Sequence, residues 1–351
     1  MEIKTLLKQM AEKGAADLLL AAGTPPVLRL SGKLVHTDYP SLSPESARAL
    51  IYSMISPSQR EKFEATKELD FPYEIEGLSR FRVNLHMQRE SVAASIRIIP
   101  ADIPTLEELR LPKAVAEFAG EARGLVLVTG PTGAGKTTTQ ACMIDIINQT
   151  RPCHVITIED PIEYVHKHKK AIVEQREVGV DTESFNTALR HVLRQSPDVI
   201  LIGEMRDLES IQVAITAAET GHLVLSTLHT NDAVQAIDRM VDVFPPHQQT
   251  QIRMQLSLAL SGIVAQQLIP RSDGKGLIVA TEIMKITTGV RNIIRKAQTQ
   301  EIYSMMEIGG KYGMQTMDST LKALYQSKLI TYEDAIARAI NPEHLQKIIS
   351  E

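Results

Sequence analysis

Residues 130–137, Gly-Pro-Thr-Gly-Ala-Gly-Lys-Thr, constrain the fold of this chain more than any other segment. They fit a loop pattern of one glycine, four residues and then Gly-Lys-Thr. Glycines let backbone N–H groups turn inward around a phosphate, and the positive end of a following helix adds to the attraction. In such a loop Lys136 would reach the β- and γ-phosphates, and the Thr137 hydroxyl would ligate Mg²⁺. The alternative is a glycine-rich turn with an exposed lysine.

The residues around the loop favour phosphate binding. Residues 125–128, Leu-Val-Leu-Val, are typical of a strand that is buried on both faces. After the loop, Ala141, Ile144 and Ile147 lie at helical spacing, with no Gly or Pro before Pro152. The order of strand, loop and helix therefore predicts that the phosphates bind to Thr132, Gly133, Ala134, Gly135, Lys136, Thr137 and Thr138.

Composition narrows the class of protein. At 351 residues and 43% hydrophobic content, the chain is long enough for two domains with real cores. No apolar run reaches the roughly 18 residues of a membrane span, and residues 1–10 form an amphipathic stripe unlike a signal peptide. The two cysteines lack metal-site spacing and form no disulfide framework, which favours the cytoplasm. A net charge of −4 and the absence of Trp disfavour a nucleic-acid motor.

The pattern of apolar residues divides the chain into four parts. Residues 1–99 predict a small α+β domain, and residues 100–112, which hold three prolines, predict a linker. In residues 113–288 strands and helices alternate, which predicts an α/β domain with a mostly parallel sheet. Residues 289–351 predict a helical C-terminal region. The strands of the α/β domain are expected near 125–128, 154–158, 171–178, 199–202 and 223–226.

Two acidic segments follow predicted strands, at the sheet edge where α/β proteins bind ligands. Glu159, Asp160 and Glu163 come directly after the apolar run 155–158. The apolar run 199–202 leads through Gly203 into Glu204, the layout of a Walker B strand. A Walker B acid positions Mg²⁺ through water or polarises the attacking water. Solvated charged turns are the alternative for both segments.

Two histidines, His222 and His229, bracket the strand predicted at 223–226. A zinc site would need a third or fourth ligand with plausible spacing, and none lies nearby. The remaining interpretations are hydrogen-bonding sensors of the γ-phosphate, together with Thr227, or two ordinary partly buried histidines.

Together these four segments resemble the motifs of the secretion-ATPase superfamily of hexameric RecA-like motors, and most of all its type IV pilus retraction ATPases. The resemblance covers nearly the whole chain. The Walker A box matches residues 130–137, the acidic box 158–164, the atypical Walker B box 199–207 and the His box 220–232. The resemblance implies a RecA-like P-loop ATPase domain, a smaller N-terminal α+β (PAS-like) domain and a helical C-terminal end.

The resemblance also implies roles for single residues. It makes Glu163 the catalytic carboxylate, and Glu204 the acid that holds Mg²⁺ through water beside Thr137. It makes His222 and His229 the residues that link the γ-phosphate to domain position. Arginines of the N-terminal domain act on the phosphates in this family, and the matching residues are Arg82 and Arg97. In the strand predicted near 79–86, alternation puts Arg80, Arg82 and Asn84 on one face and Phe81, Val83 and Leu85 on the other. A solvated strand face explains that alternation equally well. Arg190 and Arg194 are further candidates that a structural ion pair explains equally well.

The function that the resemblance implies is an ATP-hydrolysing homohexameric motor that powers type IV pilus retraction with ATP and Mg²⁺. Its partner would be an inner-membrane pilus platform protein, with the motor in the cytoplasm, peripheral to the membrane, and with no nucleic acid bound. Two cysteines and a short N-terminal domain favour the retraction branch over extension relatives, which usually carry a tetracysteine zinc element.

Residues 289–296 resemble a retraction-type motif, but Gly289 stands where alanine is usual and Lys296 where glutamate is usual. A secretion or pilus-assembly paralogue with another partner therefore stays open. Two further candidates are a nucleic-acid translocase with the same core and a docking subunit that binds ATP and barely hydrolyses it.

Overall fold

A six-stranded antiparallel sheet organises the first of two units, Met1–Asp102. The computed structural model describes residues 1–30, 32–100 and 102–350. Ser31, Ala101 and Glu351, which fall in the predicted N-terminal domain, linker and C-terminal region, lie outside the described residues. The strands, in the spatial order β3-β2-β1-β6-β5-β4, are β1 (Asp17–Leu20), β2 (Val27–Leu30), β3 (Lys33–His36), β4 (Glu68–Ile75), β5 (Ser79–Gln88) and β6 (Ser91–Ile99).

Three helices supply the rest of the core of this unit: α1 (Ile3–Glu12), α2 (Pro44–Tyr52) and α3 (Pro57–Thr66). Ser43 and Ser56 cap α2 and α3, each followed by a proline at the first helical position. The serine side chain accepts an otherwise unpaired first-turn N–H, and proline has no N–H to lose there. The apolar stripe of α1 packs in one cluster with Phe81, Val83 and Leu85 of β5, so the predicted alternation of β5 is confirmed.

A seven-stranded sheet organises the second unit, Ile103–Glu351. Its strands, in the spatial order β13-β12-β7-β11-β10-β8-β9, are β7 (Gly124–Thr129), β8 (His154–Glu159), β9 (Ile172–Glu177), β10 (Val199–Ile202), β11 (Leu223–Leu228), β12 (Leu260–Pro270) and β13 (Leu277–Lys285). All neighbouring pairs are parallel except β12 and β13. The predicted α/β class with a mostly parallel sheet is confirmed.

Helices cover both faces of this sheet and form the C-terminal region. Those within the α/β part are α4 (Lys113–Ala119), α5 (Lys136–Thr150), α6 (Phe185–Val192), α7 (Leu208–Glu219), α8 (Ala233–Asp242) and α9 (Pro246–Ala259). Those that follow the sheet are α10 (Thr288–Arg295), α11 (Ile302–Glu307), α12 (Met317–Gln326), α13 (Tyr332–Arg338) and α14 (Pro342–Ser350), with short 3₁₀ turns at Thr299–Glu301 and Gly309–Tyr312.

Burial explains why the central strands read as continuous apolar runs. Every residue of β7, β10 and β11 is buried, because helices pack on both faces of the sheet. Two apolar clusters lie in this sandwich, and a third joins β12 and β13 to the C-terminal helices through residues such as Ile278, Met317 and Leu321. Within the described residues, no helix is both long and apolar enough to cross a membrane.

Candidate functional site: a phosphate-binding loop and two carboxylates

The glycine-rich loop connects β7 to α5, as the sequence predicts. Gly130 has φ 146° and Gly133 has φ 78°, both in the left-handed region that favours glycine. A Cβ at Gly130 would lie 2.3 Å from the carbonyl oxygen of Gln266, so this position also needs the missing side chain. The loop therefore holds a backbone conformation in which α5 begins at Lys136, directly after Gly135.

Lys136 is bound within the loop. Its Nζ donates to the carbonyl oxygens of Gly130 at 2.8 Å and Pro131 at 3.0 Å. Burial lowers the pKa of the Lys136 ammonium, while the charges of Glu204 and Glu163 act in the opposite direction. These carbonyls hold the cation at the loop, where a phosphate oxygen is a stronger, charged acceptor.

A cavity of about 480 Å³ lies over the loop. All seven predicted phosphate-binding residues line it, together with Glu163, Glu204 and His229. A second cavity of about 240 Å³ shares Gly135 and Thr138 with the loop and is lined by Leu109, Leu268 and Arg271 among others. The structure thus brings the predicted loop, the two acids and one of the two histidines to the same hollow.

Glu163 lies in the segment that follows β8. The next residue, Tyr164, anchors this segment to the rest of the site. The Tyr164 hydroxyl lies 3.1 Å from the hydroxyl of Thr138 in α5. From β9, the Gln175 side-chain amide donates to the Tyr164 carbonyl at 2.8 Å and to Glu159 Oε1 at 3.1 Å. These bonds fix the segment that carries Glu163 against the loop and the sheet.

Glu204 follows β10 and is held by two basic side chains. Arg206 makes a two-point ion pair with it, at 2.6 and 2.8 Å, and His229 Nε2 lies 3.2 Å from Glu204 Oε1. The bonds to Arg206 are the main reason that the pKa of Glu204 lies below its usual value. Glu204 is therefore ionised at neutral pH and connects the end of β10 to the end of β11.

His222 does not reach this cavity. Its carbonyl accepts the N–H of Gly124 at the start of β7, whereas the phosphate-binding loop follows the end of β7. Six strand residues separate those two edges, about 20 Å at 3.3 Å per residue. His222 Nδ1 instead lies 2.9 Å from the carbonyl oxygen of Ala217. The two histidines are thus not brought together, and the described residues contain no group of three His, Cys, Asp or Glu that could hold a metal.

Two of the four predicted arginines, Arg97 and Arg190, form ion pairs within the protein. In the first unit, Arg82 and Arg97 face each other across β5 and β6, and Arg97 Nε donates to Asp17 Oδ1 at 2.8 Å. Asp17 also accepts from Arg29 Nε at 3.0 Å. In the second unit, the Arg190 side chain pairs with Glu209 at 2.7 Å, whereas the hydrogen bond of Arg194 to the His191 carbonyl comes from its backbone N–H.

Sequence reasoning missed residues that shape the site. Gln266 of β12, 1% exposed, donates from Nε2 to the Ala134 carbonyl at 2.6 Å and accepts the Thr139 hydroxyl at 2.9 Å. Gln140 and His166 also line the cavity, and burial lowers the pKa of His166 to about 4. Gln266 could have been placed near the loop only by predicting strand β12, and the apolar pattern did not predict that strand.

The fit of Mg²⁺ rests on the donor set around Thr137. The Thr137 hydroxyl and the ionised Glu204 line the same cavity, and both carry the oxygen donors that this hard cation prefers. With so few protein oxygens, phosphate and water must supply the other ligands, which is usual for Mg²⁺ at nucleotide sites.

A strand, a glycine-rich loop and a helix on a parallel sheet, with acids at the neighbouring strand ends, define a P-loop nucleotide-hydrolase site. The sequence profile of the type II/IV secretion system protein family matches residues 94–333, and this chain belongs to that family.

Similar proteins support the same class. The chain is 47% identical over 344 residues to the type IV pilus retractation ATPase PilT of Pseudomonas aeruginosa, covering 98% of this chain and 100% of that protein. It is 44% identical over 349 residues to the type IV pilus ATPase PilU of the same organism, covering 99% and 91%. A crystal structure of the pilus retraction motor PilT with bound ADP superposes with a TM-score of 0.94 at 49% identity, covering 99% of both chains. The expected secretion ATPase is confirmed.

Proposed function

We propose that this chain is the ATP-hydrolysing subunit of a motor that retracts type IV pili. The observation that carries the proposal is the single cavity in which the phosphate-binding loop meets Glu163, Glu204 and His229. Similarity over nearly the full length to a pilus retraction ATPase supports pilus retraction as its biological role.

ATP binds with its phosphates on the loop. Backbone amides of the loop and of the first turn of α5 bind the phosphates. Lys136 exchanges its two carbonyl partners for β- and γ-phosphate oxygens, and Thr138 adds a hydroxyl. Thr137 directly and Glu204 through water would hold Mg²⁺, which neutralises phosphate charge when it is bound. The second cavity, with its apolar Leu109 and Leu268, suits the nucleoside part of ATP.

Glu163 orients and activates the attacking water. As the water oxygen bonds to the γ-phosphorus and the bond to the ADP oxygen breaks, a water proton passes to the Glu163 carboxylate. Glu204 suits this role less, because Arg206 and His229 already occupy its oxygens.

The state of the γ-phosphate is transmitted by His229, which touches Glu204, and by arginines from the first unit. We assign Arg82 and Arg97 to phosphate contacts, as the family resemblance implies. His222, at the opposite edge of the sheet, would take part through strand β11 and without direct phosphate contact.

The assembly that fits this role is a homohexameric ring in the cytoplasm, peripheral to the inner membrane. It acts on an inner-membrane pilus platform protein and binds no nucleic acid. A PilU-like or other pilus-ATPase paralogue is the second candidate, because the chain is also similar over nearly its full length to PilU. Lys296, which stands where glutamate is usual in the retraction-type motif, keeps this second candidate open.

The test is deletion of the gene, scored by pilus retraction, with complementation by the wild type and by Glu163→Gln. Loss of retraction that the wild type restores and Glu163→Gln does not is the expected result. Unimpaired retraction in the deletion strain would point to the paralogue role. Strong stimulation of the ATPase by DNA at moderate salt would favour a nucleic-acid translocase.

A further inference from the structure

Strand β13 buries a carboxylate between the first residues of two helices. Glu282 is 1% exposed. Its Oε1 accepts the N–H of Ala233, the first residue of α8, at 2.8 Å, and its Oε2 accepts the N–H of Met317, the first residue of α12, at 3.4 Å. No ion pair to Glu282 occurs within residues 1–30, 32–100 and 102–350, so backbone N–H groups are what stabilise its charge.

The helix on the Oε1 side begins beside the nucleotide cavity. Only three residues separate Ala233 from His229, which lines the cavity and contacts Glu204. Asp232 caps the same helix by accepting the Gln235 N–H at 2.7 Å. Because α8 starts where the His229 segment ends, a shift of residues 229–232 changes the position of the Ala233 N–H.

The helix on the Oε2 side is the centre of the C-terminal region. Its second residue, Asp318, is fully buried and accepts the N–H groups of Ile340 at 2.8 Å and Asn341 at 3.1 Å, directly before α14. Asp318 also accepts the Tyr303 hydroxyl of α11 at 3.2 Å. A change at the start of α12 therefore reaches α11 and α14 through one side chain.

The two contacts of Glu282 depend on the same negative charge. Burial raises the pKa of Glu282 to about 7, the charges of Asp232 and Asp318 add to the rise, and the N–H groups of Ala233 and Met317 oppose it. Withdrawal of one N–H removes part of what keeps the carboxylate ionised. The bond to the other N–H then loses its charge-assisted strength.

We propose that Glu282 is a positioning residue that couples the nucleotide-side segment 229–232 to the C-terminal helices α11, α12 and α14. The inference rests on the proposed function, since it takes nucleotide at the loop as the signal. It implies that the C-terminal helices α11, α12 and α14 are the part of the molecule that changes with nucleotide state.

Hydrogen exchange of the full-length protein, with and without a non-hydrolysable ATP analogue and Mg²⁺, tests this coupling. In the wild type we expect nucleotide to change exchange in residues 130–138, 229–236 and 317–320. In Glu282→Gln, whose amide cannot accept from both helices, the first two responses stay and the response at 317–320 is lost. Ser257→Ala is the control, because it removes a buried hydroxyl that bonds to the Met254 carbonyl within α9 and not to Glu282, and it should keep the response at 317–320.

The outcomes separate the coupling from the function. Responses at 130–138 and 229–236 with none at 317–320 in the wild type would overturn the coupling alone, and this result needs no variant to fold. An undiminished response at 317–320 in Glu282→Gln would overturn it as well. Absence of any response at 130–138 would instead overturn the nucleotide site, and the coupling with it.

Discussion

Glu163 and Glu204 reach the same cavity in very different surroundings. Glu204 is held by Arg206 and His229, which keep it ionised and fixed. Glu163 is exposed to the cavity, and among the residues that the structure describes it has no hydrogen-bond or ion-pair partner. Two carboxylates with different environments suit two roles. The held acid suits the hydrated cation, and the open acid suits the attacking water.

Glu163→Gln should abolish turnover while nucleotide still binds. The amide keeps the shape of the side chain but cannot take a proton, so kcat should fall about 10²- to 10⁴-fold, the usual contribution of a general base. ATP hydrolysis and nucleotide affinity, measured on the same preparation, check this. Glu174→Gln is the control, because Glu174 lies on the neighbouring strand β9 and does not line the cavity. Near-normal turnover in Glu163→Gln would remove Glu163 from the proposed role.

Two glycines of the loop should respond differently to alanine. At Gly133 the added Cβ meets nothing within 4 Å, so the cost is the left-handed backbone alone, roughly 1–2 kcal/mol. At Gly130 the Cβ also meets the Gln266 carbonyl, which belongs to a paired strand and cannot move freely. We therefore expect Gly130→Ala to lower the melting temperature and ATP affinity more than Gly133→Ala. The reverse order would show that the contact with Gln266 does not shape the loop.

Strands could be predicted from the sequence where the apolar pattern and the flanking turn residues indicate the same bounds. The wholly apolar runs of β7, β10 and β11, and the alternation in β5, identify strands because their burial follows a simple period. Strand β3 is exposed at all four residues and shows no such period, so it was not predicted.

Strands β12 and β13 were not predicted either. Helix α9 passes into β12 between Ala259 and Leu260 without a turn residue, so nothing in the local pattern marks the change. Gly262 within β12 looks like a strand breaker, yet the ring of Phe118 lies 2.1 Å from where its Cβ would be. Tertiary packing thus decides these elements, and Gln266 and Glu282 could not be placed before the strands were known.

Two buried acids on the strands should make stability depend on pH. Burial raises the pKa values of Glu159 and Glu282 to about 7, from an ordinary value of 4.5. Between those values the folded protein holds protons that the unfolded chain has released, so the free energy of unfolding falls as pH rises. Each acid contributes at most about 3 to 4 kcal/mol to this fall, at 1.4 kcal/mol per pKa unit.

Melting temperatures of Glu282→Gln and the wild type at pH 5.5, 6.5 and 7.5 check this. The variant should gain on the wild type as pH rises, because glutamine has no proton to lose. His166→Gln is a control of opposite sign. Burial lowers the His166 pKa to about 4, so the wild type gains stability as pH rises towards 6.5 and the variant does not. A Glu282→Gln difference that stays constant across this range would contradict the assignment.

The order of the motifs along the chain was more informative than any single motif. The loop, the acidic segment, the Walker B strand and His229 are far apart in sequence, and the parallel sheet brings them to one edge because its strands run the same way. His222 could not be separated from His229 without the strand bounds, since both flank β11. The boundary at Asp102 lies inside the segment predicted as a linker.

The first unit should contribute to catalysis through Arg97, and Asp17 makes a matched comparison possible. Arg97 and Arg29 each donate to one oxygen of Asp17, at 2.8 and 3.0 Å, so alanine at either position removes a similar ion pair from the same sheet. If Arg97 also stabilises phosphate charge in the transition state, Arg97→Ala should lower kcat by about 10²-fold or more, the usual cost of losing one preorganised donor. Arg29→Ala should keep kcat near the wild-type value, and both variants should melt at similar temperatures. Steady-state ATP hydrolysis, with melting curves of the same samples, measures both effects. Equal turnover in the two variants would remove Arg97 from the proposed phosphate contact and leave Arg82 as the remaining candidate of the first unit.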